Sequence, residues 1–223
     1  MDKKEIFKRI DHTVLKAVTS WSEIKKLCDE SIKYQTASVC IPPSYVFRVH
    51  KEYGEDINIC TVIGFPLGYN TTEVKIFEAA QAIKAGASEI DMVINLGDVK
   101  NGDFEKISDE IREIKKAVEK GNKILKVIIE TCYLTEEEKI KLCRCVTNAR
   151  ADFIKTSTGF GTAGATIEDI ELFKRNIGEG IKIKAAGGVK TKEDLEMFIN
   201  AGCDRIGTSS AVTILNSGVA GGY

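Results

Sequence analysis

The sequence predicts an α/β protein, a closed (β/α)8 barrel of the TIM type, in one domain spanning residues 1–223. Three observations point there. Eight short runs rich in β-branched residues alternate with amphipathic stretches along the chain. Three segments echo one another, Ala85-Gly-Ala-Ser-Glu-Ile-Asp91, Ala149-Arg-Ala-Asp-Phe-Ile-Lys155 and Ala201-Gly-Cys-Asp-Arg-Ile-Gly207, each reading as a helix end that turns into a strand. No GxGxxG follows the first strand, which weighs against the runner-up, an open Rossmann-like or flavodoxin-like sheet.

The expected strands are residues 10–13, 37–41, 59–63, 89–94, 125–129, 153–156, 181–185 and 205–208. Helical spacing is clearest at Ile107, Ile111, Ile114 and Val118, three and four residues apart. Helix starts are marked by Thr135 with Glu138, Thr166 with Asp169 and Thr191 with Asp194, each placing an acceptor or an acid in a first turn. No Ser/Gly linker divides the chain. Residues 212–223 start apolar and end glycine-rich, a pattern expected of a mobile tail or, alternatively, of an arm that brings Tyr223 to the site.

Bulk composition removes several function classes. Apolar residues make up 43% and charged residues 29%, so the chain can bury a core throughout its 223 residues. A net charge of -1 with dispersed lysines argues against a nucleic-acid partner. With neither a signal-peptide pattern nor a run near the ~20 apolar residues of a membrane span, no membrane partner and a cytoplasmic location are expected. The 7 cysteines contain no CxxC pair and read as reduced packing residues. Only His12 and His50 are available, so zinc hydrolysis and Ser/His catalysis lose weight and no metal site is expected.

Strand alternation gives direction to the charged residues. In Phe153-Ile-Lys155, a helix-facing Ile154 sends Lys155 into the barrel at its C-terminal end, and the same reasoning turns Asp91 and Lys184 inward. Two readings of Lys155 stand at this point: a buried ion pair with Asp91 or another carboxylate, or a nucleophilic amine. An amine must be neutral to attack a carbonyl, and burial or a neighbouring positive charge favours that state. Lys184 is the candidate charge, because adjacent strands lie about 4.8 Å apart. Lys182 shares its face but sits deeper, toward the barrel floor. Lys126 is expected to support the site through an ion pair with Glu130 or Asp91.

Gly187-Gly188 and Gly207-Thr-Ser-Ser210 follow the seventh and eighth strands, where barrels of this type often hold phosphate. Together they favour a phosphorylated small molecule. Asp11 and His12 follow the first short strand as turn or cap residues, unless Asp11 points inward to a hydroxyl or a lysine. Cys40 is either a packing thiol or a residue of the mouth. The 64–72 loop is expected in the pocket wall.

Four segments, Phe153-Ile-Lys-Thr-Ser-Thr-Gly159, Lys184-Ala-Ala-Gly-Gly-Val-Lys190, Glu89-Ile-Asp-Met-Val-Ile-Asn95 and Lys126-Val-Ile-Ile-Glu-Thr131, together resemble the deoxyribose-phosphate aldolase family in order and spacing, from about Ile10 to Val212. The resemblance implies a class I aldolase that cleaves 2-deoxy-D-ribose 5-phosphate reversibly to D-glyceraldehyde 3-phosphate and acetaldehyde, with no metal or organic cofactor. It implies Lys155 as the Schiff-base lysine and Lys184 with Asp91 as the proton-transfer pair. Gly159, Gly187, Gly188, Ser209 and Ser210 match positions around the phosphate, with Asp11, Cys40, Lys126 and Thr158 in support. Tyr223 resembles a C-terminal tyrosine that helps to move the enamine proton, and the family implies a homodimer or homotetramer. Two rival functions remain: an isomerase using Asp91 as base, which predicts turnover without imine trapping, and an inactive sugar-phosphate binding module, which predicts no turnover.

Overall fold

The structure, a computed structural model, describes residues 1–217. In chain order the elements are α1 (Lys3–Phe7), β1 (Ile10–Thr13), α2 (Trp21–Tyr34), β2 (Ser38–Ile41), α3 (Val46–Tyr53), β3 (Ile59–Ile63), α4 (Thr72–Lys84), β4 (Glu89–Val93) and α5 (Leu96–Asn101). They continue with α6 (Phe104–Glu119), β5 (Ile124–Ile128), α7 (Glu136–Asn148), β6 (Phe153–Lys155), α8 (Ile167–Asn176), β7 (Lys182–Ala186), α9 (Lys192–Ala201), β8 (Arg205–Thr208) and α10 (Ala211–Ser217). All eight strands are parallel and form a closed barrel, with β1 pairing β8 through Ile10↔Ile206, Asp11↔Gly207 and His12↔Thr208.

The helices form for the reasons the sequence suggests. On α6 the stripe Ile107, Ile111, Ile114 and Val118 is buried against the barrel, while acids and lysines cover the opposite face. Thr135 and Thr191 build full capping boxes with Glu138 and Asp194, and Thr166 accepts the Asp169 N–H. All three echo segments run from a helix C-terminus into β4, β6 or β8.

Five expected strands differ from the observed ones by one residue at one or both ends, where the ladders run out. At the start of β5, the Asp152 carboxylate takes the Leu125 N–H at 2.8 Å. Two further departures are larger. Asp11 and His12 lie within β1, as the expected strand 10–13 has them, so the reading of the two as turn or cap residues after the strand is what the structure corrects. Residues 212–217, expected as the start of a tail, belong to α10, whose Ile214 and Leu215 are buried; Tyr223 lies outside the described residues.

Alternation along the strands separates two environments. Outward residues such as Val39, Ile90, Met92, Val127, Ile154, Ile183 and Ile206 join the main core between barrel and helices. The barrel interior is mostly ionic. Its one apolar cluster of buried residues among those described is Cys40, Cys60 and Val62, with Leu15 and Phe65 packed against it. Among the described residues, no helix is long and apolar enough to cross a membrane.

Candidate active site

Four strands deliver the charged centre. β4 brings Asp91 and, two residues deeper, Glu89; β5 brings Lys126 beside Asp91, and β6 and β7 place Lys155 and Lys184 in direct register. Asp91 is fully buried and takes four contacts. Its Oδ2 accepts from Lys155 Nζ at 2.7 Å and Lys184 Nζ at 2.8 Å. Its Oδ1 accepts from Lys126 Nζ at 2.8 Å and Cys60 Sγ at 3.1 Å.

A second layer lies beneath. Lys184 Nζ stands 2.5 Å from Asp11 Oδ2, and Lys126 Nζ stands 2.6 Å from Glu89 Oε2 and 3.5 Å from Asp11. Arg205 closes the network from β8, donating to Asp11 and to Glu89 Oε1 at 2.9 Å. Asp11 Oδ1 also accepts the Ser38 hydroxyl at 2.8 Å.

Burial would by itself raise the carboxyls of Asp91 and Asp11, yet their ammonium neighbours outweigh it. Lys126, Lys155 and Lys184 hold Asp91 well below the usual carboxylate range, and Lys184, Lys126 and Arg205 do the same to Asp11. Burial likewise opposes the charge on Lys184 and Lys126. Asp11 and Asp91 nonetheless push Lys184 up, and Asp91 leads the groups that raise Lys126. Cys60 hydrogen-bonds Cys40, which lowers the Cys40 thiol, whereas burial and that same bond raise Cys60.

Two triads of potential metal ligands, Cys40/Cys60/Asp91 and Asp11/Cys60/Glu89, bring their donor atoms within 4.8 Å of one another. The Lys126 ammonium already sits among them, at 3.2 Å from Cys60 Sγ in addition to its carboxylate contacts.

Above this layer a cavity of about 540 Å³ opens at the C-terminal mouth. Lys155, Thr158, Gly159, Gly187, Gly188, Ser209 and Ser210 all line it. Of the ionic cluster only Lys155 does so; Asp91, Lys184, Asp11 and Lys126 lie beneath its floor. The loops that carry the glycines are packed backbone to backbone. A Cβ on Gly164 would lie 2.5 Å from the Gly187 carbonyl carbon, and Ala165 N–H donates to Ala186 O at 3.1 Å.

Of the two partners expected for Lys126, the structure brings Asp91 and adds Glu89, while the Glu130 carboxylate instead holds Thr158. The 64–72 loop does not line the cavity, although Phe65 meets Phe160 edge-on at 5.4 Å. Lys182 reaches the barrel floor, its Nζ 5.6 Å from the Phe153 ring centre. Glu89, Arg205 and Cys60 were not singled out from the sequence. Period-two alternation back from Asp91, and the first position of the eighth strand, would have found the first two.

Fold and cavity define an enzyme of the (β/α)8-barrel class with its site at the C-terminal mouth. The chain belongs to the DeoC/LacD aldolase family, whose profile matches residues 6–222. It is 64% identical to the deoxyribose-phosphate aldolase of Clostridium botulinum (strain Alaska E43 / Type E3) over 223 residues, covering 100% of both chains. Among solved structures it resembles QR15, an aldolase, with 39% identity, a TM-score of 0.90 and coverage of 96% of this chain and 95% of that one. The tetrameric deoxyribose phosphate aldolase from Aeropyrum pernix is 31% identical, with a TM-score of 0.91 and coverage of 97% of this chain and 92% of that one.

Proposed function

We propose that this protein cleaves 2-deoxy-D-ribose 5-phosphate reversibly to D-glyceraldehyde 3-phosphate and acetaldehyde, through an imine formed on Lys155. The observation that carries the reading is the seating of Lys155: the residue lines the cavity while its amine rests 2.7 Å from a carboxylate oxygen shared with Lys184.

Counting charges explains why this amine can act. Lys126, Lys155, Lys184 and Arg205 face Asp11, Glu89 and Asp91, four cations against three anions. Release of one proton balances the cluster. Lys126 contacts three carboxylates, and Lys184 and Arg205 two each, whereas Lys155 contacts one. Lys155 is therefore the ammonium held by the fewest partners, and it is the one that can meet a substrate.

The neutral amine adds to the C1 aldehyde, and loss of water gives a protonated imine. When the C2–C3 bond breaks, its electron pair flows to the imine nitrogen as an enamine, and the C3 hydroxyl proton leaves to form the glyceraldehyde 3-phosphate carbonyl. Protonation at C2 regenerates an imine, and water releases acetaldehyde and free Lys155. Asp91 is held too low in proton affinity to be a good final acceptor. A water in the cavity beside Lys155 suits the relay better, with Asp91, kept ionised by Lys184, acting on it through its contact with Lys155. The backbones of Gly159, Gly187 and Gly188, with Ser209 and Ser210, are the groups we assign to the phosphate.

Incubation with acetaldehyde and borohydride is expected to leave a reduced two-carbon adduct on Lys155, located by peptide mass mapping. An unmodified Lys155 in an enzyme that still turns over would overturn the imine route and leave the isomerase reading. We further infer a cytoplasmic homo-oligomer. The tetrameric Aeropyrum pernix relative and the exposed Phe47, Tyr69 and Phe77 support the assembly, and seven free cysteines support the compartment. Light scattering at the monomer mass of 24.5 kDa would count against the assembly.

A further inference from the structure

Glu130 is placed at a cost. It follows β5 in a left-handed backbone conformation, φ 54°, which disfavours a non-glycine residue by roughly 1–2 kcal/mol. Its carboxylate is also buried, with the residue 2% exposed, and among the described residues it forms no ion pair.

What that arrangement achieves is a grip on one loop. Glu130 Oε1 accepts the Thr158 N–H at 3.1 Å, and Oε2 accepts the Thr158 hydroxyl at 2.5 Å. The same hydroxyl oxygen accepts the Phe160 N–H at 2.9 Å. Gly159 is thus bracketed by two residues tied, directly or through one atom, to a single carboxylate. The loop also lies flat against its anchor. A Cβ on Gly161 would stand 2.7 Å from Cys132 Sγ and 3.2 Å from Glu130 Cδ. Beside Glu130, Thr131 N–H donates to Thr156 O at 2.9 Å, joining the same two segments.

We propose that Glu130 is a positioning residue for substrate selection: by fixing Thr158 it holds the Gly159 backbone where the sugar phosphate is received, and so sets the preference for phosphorylated over unphosphorylated deoxyribose. The proposal rests on the aldolase reading above. Glu130 does not line the cavity, so it acts through Thr158 and Gly159 and not by touching the sugar. A charge-assisted hydrogen bond is stronger than a neutral one, and a glutamine amide can accept only through its single oxygen. Glu130→Gln therefore loosens one of the two ties while keeping the size of the side chain.

The test compares kcat and KM for 2-deoxyribose 5-phosphate and for 2-deoxyribose in wild type, Glu130→Gln, Thr158→Val and Thr158→Ser. Glu130→Gln and Thr158→Val are expected to raise KM for the phosphorylated sugar about tenfold, with a smaller change in kcat, lowering the ratio of the two specificity constants by a similar factor. Thr158→Ser keeps the hydroxyl and is expected to retain most of the discrimination. An unchanged ratio in both weakened variants, or an equal loss for the two sugars, overturns the proposal, since a purely structural defect would act on both. Should Glu130→Gln fail to fold, Thr158→Val decides alone. Wild type without any cleavage would instead sink the aldolase reading, so the two failures are distinguishable.

Discussion

Lys155 and Lys184 converge on one oxygen: from neighbouring positions on β6 and β7, their Nζ atoms lie 2.7 and 2.8 Å from Asp91 Oδ2. Two ammoniums on one carboxylate oxygen cannot be rearranged cheaply when that carboxylate is removed, because Lys155 loses its one carboxylate partner and the buried Lys184 is left with Asp11 alone. Asp91→Asn leaves Lys126, Lys155 and Lys184 without that carboxylate. Turnover is expected to fall by about 10²-fold or more, and stability by roughly 3–5 kcal/mol. Single-turnover kinetics and urea unfolding measure the two losses separately. Near-wild-type turnover in the variant would remove Asp91 from the proton relay.

Stability should depend on pH through the same cluster, with a definite sign. The folded carboxyls of Asp91 and Asp11 are held below their ordinary value of 3.8, so at low pH the unfolded chain takes up protons first. Their contribution is complete above that ordinary range and is lost as pH falls below it. At the other end, Lys184 and Lys126 are raised above 10.5, so their contribution is complete below that value and is lost as pH climbs through their folded values. Urea midpoints are therefore expected to drop steeply below pH 3.8 in wild type and less steeply in Asp91→Asn. Equal acid limbs would place the acid-sensitive groups elsewhere.

The parts of this site that were legible in the sequence are those that strand alternation alone can orient. Lys155, Asp91 and Lys184 each sit on a short strand where apolar neighbours fix the outward face, so their inward direction followed. Gly187-Gly188 after β7 and Ser209-Ser210 after β8 could be placed because parallel connections put every strand's C-terminal end on one side. Glu130 could not be read in this way. Alternation carried past Ile128 puts it on the face of Lys126, but β5 ends at Ile128 and the φ of 54° at Glu130 turns the side chain toward Thr158. A non-glycine residue in that conformation leaves no signature in composition or spacing. Arg205 and Glu89 are hidden for another reason: barrel chemistry points to strand C-termini, whereas this ionic network extends one layer deeper.

Gly164 tests whether the loops after β6 and β7 act as a unit. A methyl group there would stand 2.5 Å from the Gly187 carbonyl carbon and 2.7 Å from Gly188 N, and backbone cannot move aside as the end of a side chain can. Gly164→Ala must part the loops after β6 and β7. KM for a phosphorylated substrate is expected to rise about tenfold or more, while acetaldehyde trapping at Lys155 persists. Loss of trapping in a folded variant would show that the displacement reaches the amine itself.

Lys75 and Glu110 form a further buried pair among the described residues, one that does not line the cavity, and they separate stability from catalysis. Lys75 is wholly buried and Glu110 is 6% exposed; Lys75 Nζ donates to Glu110 Oε1 at 2.7 Å and to Val93 O at 2.8 Å. Burial lowers Lys75 and raises Glu110, so each is held charged chiefly by the other. Lys75→Met strands a carboxylate between α4 and α6, and Glu110→Leu strands an ammonium against the Val93 carbonyl at the end of β4. Each is expected to cost about 3–5 kcal/mol in urea unfolding, whereas the double variant should recover most of the loss. The coupling has a structural reason. Lys75 also fills the space next to Gly64, where a Cβ would approach its Cε to 2.7 Å, so a methionine of similar length keeps the packing while removing the charge. Additive losses in the double variant would mean that the Val93 carbonyl, and not Glu110, is the partner on which Lys75 depends.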